Sequence, residues 1–133
     1  MTAFGAGPAP ATPGSCPCGS GSGYAVCCGP LHEGHQPART AVQLMRSRYA
    51  AFVVGDTAYL ASTWHPRTRP ADLQVTDSPV WQGLTVIATA DGREGDSVGE
   101  VEFEAAHGEG VLHERSRFVR RAGRWVYVDG DVL

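Results

Sequence analysis

The chain has 133 residues, room for one compact domain and a small appendage but not for two full domains. Its hydrophobic share of 42% is ordinary for a folded protein, and its net charge of −3 removes any global electrostatic case for nucleic acid. No apolar run approaches the ~20 residues of a membrane-spanning helix, and every basic residue is arginine, a bias to which we attach no function.

Residues 1–37 hold more than half of the glycine and proline and one formal charge, Glu33. Residues 1–14 read as a flexible tail. They lack a basic start and a continuous apolar stretch, so they do not read as a signal peptide, and the expected compartment is a reducing cytoplasm. Residues 15–37 read as a loop-rich knuckle that needs a staple. The only four cysteines of the chain supply one: Cys16-Pro17-Cys18, an eight-residue spacer, then Cys27-Cys28. Four thiolates make a closed set for one tetrahedral Zn²⁺, and glycines at 19, 21 and 23 let the spacer double back. A structural zinc is the favoured reading, with thiol redox chemistry and a catalytic zinc as the alternatives. The spacing differs from the common Cys-x-x-Cys pairs, and His32 and His35 lie close enough to replace one sulfur.

A helix follows. Thr40 serves as its N-cap, Gln43 completes a capping box, and Leu44, Met45, Arg48, Tyr49 and Phe52 recur at helical spacing. Gly55 closes it. Asp56 or Thr57 then caps a shorter helix through Tyr59, Leu60 and Trp64, with Pro66 just beyond. From about residue 72 the period becomes two. Strands are predicted over 84–89, 98–106, 111–120 and 124–128, with turns at Asp91-Gly92 and Ala122-Gly123. Val101, Phe103 and Ala105 share one face of the second strand, and Glu100, Glu102 and Glu104 the other. The order of knuckle, helices and antiparallel strands predicts an α+β fold, with helices on one face of a curved sheet.

The string Cys16-Pro-Cys18-Gly-Ser-Gly-Ser-Gly-Tyr-Ala-Val-Cys27-Cys28-Gly29 resembles the SEC-C motif, the zinc knuckle also found at the C-terminus of the preprotein translocase ATPase. Leu44 to Phe52, Thr63-Trp64-His65-Pro66, Trp81-Gln82-Gly83-Leu84, His113 to Phe118 and Trp125 to Gly130 resemble hallmarks of the YchJ-like proteins. The resemblance covers roughly residues 15–130. It implies a SEC-C knuckle over 15–37 followed, over 38–133, by a nuclear-transport-factor-2-like cone, and it implies no particular activity. Many SEC-C motifs carry lysines between the cysteine pairs; this one carries no basic residue there. An electrostatic partner-binding role therefore does not transfer with the resemblance.

Such a cone has a mouth that suits a small-molecule pocket. Arg48 stands four residues from both Leu44 and Phe52, on the buried face of its helix, and needs a partner; Glu114 or Asp129 can supply one. Tyr49, Trp64 and His65 are the further pocket candidates, together with Arg117 from the arginine-rich stretch 115–124. For Arg115 and Arg117 the competing reading is a solvated face answered by Glu100, Glu102 and Glu104. Trp81 and Trp125 read as core, and Ser116 lacks a nucleophile elbow. No acid/base pair stands out. Two functions remain: the leading one is an accessory protein presenting its zinc knuckle to a protein partner, and the alternative is a small-molecule binder or enzyme using the cone. An open cavity with convergent polar groups favours the second; one plugged by Trp64, Trp81 and Phe118 removes it.

Overall fold

The computed structural model describes residues 14–75 and 79–133. The expected tail, residues 1–14, lies outside the described residues except for Gly14. In chain order the elements are a 3-10 turn Tyr24–Val26, α1 (Cys28–His32), α2 (Ala41–Val54), α3 (Thr57–Ser62), β1 (Trp81–Asp91), β2 (Val98–His107), β3 (Gly110–Arg121) and β4 (Arg124–Val132). The architecture is α+β, with the helices packed on one antiparallel sheet of order β1-β2-β3-β4. Among the described residues no helix is long and apolar enough to cross a membrane.

Local chemistry sets the helix ends. The Thr40 hydroxyl accepts the Gln43 amide at 3.1 Å, as an N-cap does. The reciprocal arm of the predicted capping box is displaced by one residue, because the Gln43 side chain accepts the Arg39 amide at 2.7 Å. Thr40 is fully extended (φ −135°, ψ 161°), which carries Arg39 back alongside the first turn. Gly55 ends α2 in the left-handed region at φ 82°, and the Asp56 carboxylate then caps α3 by accepting the Tyr59 amide. The second helix stops at Ser62, short of the predicted Trp64. Its chain is drawn off to pair with β4: His65 donates its amide to the Tyr127 carbonyl and Tyr127 donates to the Thr63 carbonyl, both at 2.8 Å.

The first strand starts at Trp81, ahead of the predicted residue 84, and the strands outrun the predicted bounds at most ends. Register shifts at Trp81/Gly83, Val86/Ala88 and Arg117/Phe118 bend the sheet. Its concave face carries Val101, Phe103, Ala105 and Phe118, which pack against Leu44, Met45 and Tyr49 of α2. Burying a side chain such as Phe118 or Leu44 contributes about 1.5–3 kcal/mol. Gly92, at φ 75°, holds α2 against the β1–β2 connection: its carbonyl accepts the Ala41 amide at 2.9 Å, and a Cβ there would meet the Ala41 Cβ.

Candidate functional site

Two features concentrate chemistry: the cysteine knuckle and a cavity between α2 and the sheet. In the knuckle the Cys16 amide donates to the Ser22 carbonyl and the Tyr24 amide to that of Gly14, folding the glycine-rich spacer back on itself. The four sulfurs then lie within 4.8 Å of one another, with Cys18 and Cys27 Sγ atoms 3.6 Å apart. A ZnS₄ tetrahedron with bonds of about 2.3 Å has edges of about 3.8 Å, so the cluster fits that geometry. All four cysteines are free thiols, and three are buried. Burial pushes the Cys16 thiol up to about 11, while hydrogen bonds, first of all from Cys28, bring the Cys18 thiol down to about 4. A neighbour's thiolate and burial likewise raise Cys28. Sulfurs this close cannot all ionise unaided; a dication removes that conflict. The chemistry of the donor set therefore matches a tetrahedral, thiophilic metal ion.

Neither histidine replaces a sulfur. His32 is held between the Tyr24 hydroxyl, 2.6 Å from Nδ1, and the Ser47 carbonyl of α2, 2.8 Å from Nε2. Ser47 in turn bonds the Tyr59 hydroxyl at 2.7 Å. His35 is exposed beside Glu33. His32 thus ties the knuckle to α2, as does Arg46, which donates to the Cys18 carbonyl at 2.8 Å.

The cavity holds about 260 Å³. Its apolar wall comes from Met45, Tyr49, Phe52, Phe103, Leu112 and Phe118 with the rings of Trp64 and Trp81; Arg48, Glu114, Ser116 and Tyr127 bring the polar groups. Arg48 is 6% exposed and lies 4.8 Å from the ring centres of both Trp64 and Tyr127. Its Nη1 donates to the Leu60 carbonyl at 2.9 Å and to the Thr63 hydroxyl at 2.7 Å. Its other N–H groups bond no acceptor among the described residues. Burial brings this guanidinium down to about 10, opposed by Tyr127, Tyr59 and Glu114, so it stays charged at neutral pH.

The ion-pair partner expected for Arg48 is not there. Asp129 is taken by Arg117, and the Glu114 carboxylate accepts the Ser116 hydroxyl at 2.7 Å and the Tyr127 hydroxyl at 3.5 Å. Burial first, then Glu114, pushes the Tyr127 phenol up to about 12. The indole N–H groups of Trp64 and Trp81 are buried without a hydrogen-bond partner, although both rings line the cavity. Each such orphan costs about 1–3 kcal/mol and calls for an explanation.

Of the predicted pocket residues, Arg48, Tyr49 and Trp64 meet at the cavity. His65 and Arg117 do not. His65 spends its amide on β4 and its Nδ1 on the Arg67 amide. Arg117 stands on the outer face of β3, where it pairs with Asp129 at 2.6 Å and Asp131 at 2.8 Å rather than with Glu100, because the register shift at Arg117/Phe118 brings β4 carboxylates beside it. Arg115 does meet Glu102, at 2.9 Å. Trp125 is core, its Nε1 donating to the Arg39 carbonyl at 3.1 Å, whereas Trp81 is a cavity wall.

Residues 40–130, well over half of the chain, match the family described as the YchJ middle NTF2-like domain. The chain belongs to the YchJ-like family. A UPF0225 protein of Streptomyces coelicolor is 53% identical over 118 residues, 89% of this chain and 95% of the relative. One from Deinococcus radiodurans is 49% identical over 119 residues, 86% of each chain. The solution structure of a SEC-C motif containing protein from Rhodopseudomonas palustris superposes with a TM-score of 0.76 at 34% identity, covering 89% of this chain and 98% of that one. The crystal structure of a SEC-C motif containing protein from Psychrobacter arcticus gives 0.71 at 28% identity, covering 89% and 82%.

Within this YchJ-like chain, sequence reasoning named Glu114 only as a partner for Arg48 and missed Tyr127 as a wall. A signal was present. Leu112, Glu114, Ser116 and Phe118 alternate on one strand face, which marks a carboxylate and a hydroxyl as inward-facing neighbours of the core.

Proposed function

We propose that this protein binds a small molecule in the cavity between α2 and the sheet, and that the knuckle is a zinc-stapled structural flank of that domain. The observation that carries the reading is Arg48: a charged guanidinium held in an otherwise aromatic and aliphatic wall, with no carboxylate paired to it and donors left over. Burying a charge is costly unless it is paired, and clefts that combine apolar walls with a few convergent polar groups are ligand sites. Binding is favoured over chemistry because, among the described residues, the one carboxylate lining the cavity is Glu114, whose Oε2 already accepts the Ser116 and Tyr127 hydroxyls, and no histidine lines it. Zinc is the metal that four thiolates select among common divalent ions, and four reduced thiols suit a reducing cytoplasm. The protein-partner reading of the knuckle has no comparable feature to rest on among the described residues.

Ala105, 1% exposed and part of the wall, gives the test. In a thermal-shift screen of metabolite-sized fragments, wild-type protein is expected to be stabilised by a subset, by about 1.4 kcal/mol at tenfold excess over Kd. Ala105→Leu and Leu112→Phe, which push side chains into the cavity, are expected to abolish the shift while keeping wild-type far-ultraviolet circular dichroism. Equal shifts in wild type and both variants place the binding elsewhere.

A further inference from the structure

The polar groups of the cavity are unequally matched, and the imbalance specifies a ligand. On the donor side stand the N–H groups of Arg48 that meet no acceptor among the described residues; the indole N–H groups of Trp64 and Trp81 are buried behind their own rings and are not presented to the cavity. On the acceptor side stands Glu114, already receiving the Ser116 and Tyr127 hydroxyls. Resting on the reading of the cavity as a binding site, we infer that it takes a small organic acid: a compact aromatic or branched aliphatic body carrying one carboxylate, with the carboxylate on Arg48 and the body against Phe52, Phe103 and Phe118.

Three arguments select this class. A guanidinium presents parallel donors that match a carboxylate, and the rings of Trp64 and Tyr127 hold this guanidinium in place. A dianion such as a phosphate ester is disfavoured, because Glu114 shares the cavity and Arg48 is its only fixed cation among the described residues. An ammonium ligand is disfavoured by the like charge of Arg48 in the same cavity. The 260 Å³ volume lies below the usual range of drug-sized pockets, so the body is metabolite-sized.

The experiment is an affinity series by calorimetry on the full-length, metal-loaded chain with four probes of one shape: phenylacetate, phenylacetamide, phenethylamine and phenyl phosphate. Phenylacetate is expected to bind at least tenfold more tightly than the other three. Arg48→Gln is expected to cost phenylacetate about tenfold or more while moving phenylacetamide less than threefold, as loss of a charge-assisted contact does. Because Arg48 also braces α3, Arg48→Lys supplies a second variant: it keeps the positive charge, loses the paired donors of the guanidinium, and is expected to weaken phenylacetate several-fold while leaving phenylacetamide within threefold. If the amide, amine or phosphate ester binds as well as the acid, or the acid is indifferent to both substitutions, the organic-acid assignment is overturned while the cavity reading stands. If no probe binds at millimolar concentration, both are overturned.

Discussion

Treating the purified protein with a strong chelator is expected to cost residues 15–37 their structure while the four-stranded sheet persists. The knuckle cannot hold itself. Its buried cluster consists of Cys16, Cys18, Cys28 and Ala50 of α2, flanked by Tyr24 and Cys27, and its longest helix has 5 residues. Isolated helices that short are unstable in water. Structural zinc supplies about 10–16 kcal/mol in small thiolate and imidazole sites, far more than the Arg46 and His32 tethers, at about 1–3 kcal/mol each. In hydrogen exchange, the amides of Cys16, Tyr24 and Cys27, which bond carbonyls inside the knuckle, are expected to lose protection on chelation. The β2 and β3 amides keep theirs. Cys27→Ser is expected to reproduce the effect in part, because a hydroxyl is a poor zinc ligand. Unchanged knuckle protection in the chelated protein refutes a metal-built fold there.

Replacing Arg48 has the second-largest expected effect. Arg48→Met retains the unbranched stem but leaves the Leu60 carbonyl without its charged donor and removes two stacked ring contacts. A hydrogen bond from a charged group is worth about 1.5–3 kcal/mol and a desolvated cation–π contact up to about 2 kcal/mol, against which the desolvation cost of the guanidinium is recovered. The expected net loss in urea unfolding is about 2 kcal/mol. Arg48→Lys is expected to recover less than half of it, because an ammonium cannot lie flat between Trp64 and Tyr127 while reaching both Leu60 and Thr63. A neutral or stabilising Arg48→Met would mean that the bonds to α3 contribute nothing to the fold and that the charge is kept for a ligand alone.

What was legible in the sequence was what depends on neighbours in the chain. The four cysteines lie within one short segment, so their convergence needs only a flexible spacer. Thr40, Gly55 and Asp56 act on backbone groups one to four residues away, and the alternation of Val101, Phe103 and Ala105 follows from the pleat of one strand. What was not legible depends on distant partners. Trp64 leaves its helix because Tyr127, far along the chain, offers a strand edge. Arg117 finds Asp129 and Asp131 rather than Glu100 because of a register shift that no local pattern announces. His65 looked like a pocket group by adjacency to Trp64, yet the bridge to β4 that places the tryptophan at the cavity engages His65 through its backbone. Arg48 was identifiable as buried from helical spacing alone, but the absence of a carboxylate beside it is a property of the assembled cavity.

The most direct test of the cavity as the binding site uses the three indole N–H resonances of the ¹⁵N-labelled protein during titration with phenylacetate and phenylacetamide. Trp64 and Trp81 line the cavity, whereas Trp125 is fixed to the Arg39 carbonyl in the core and serves as an internal control. Saturable shifts of the Trp64 and Trp81 signals with Trp125 unmoved are the predicted result. Saturable binding that leaves the Trp64 and Trp81 signals in place, or moves Trp125 equally, would contradict it.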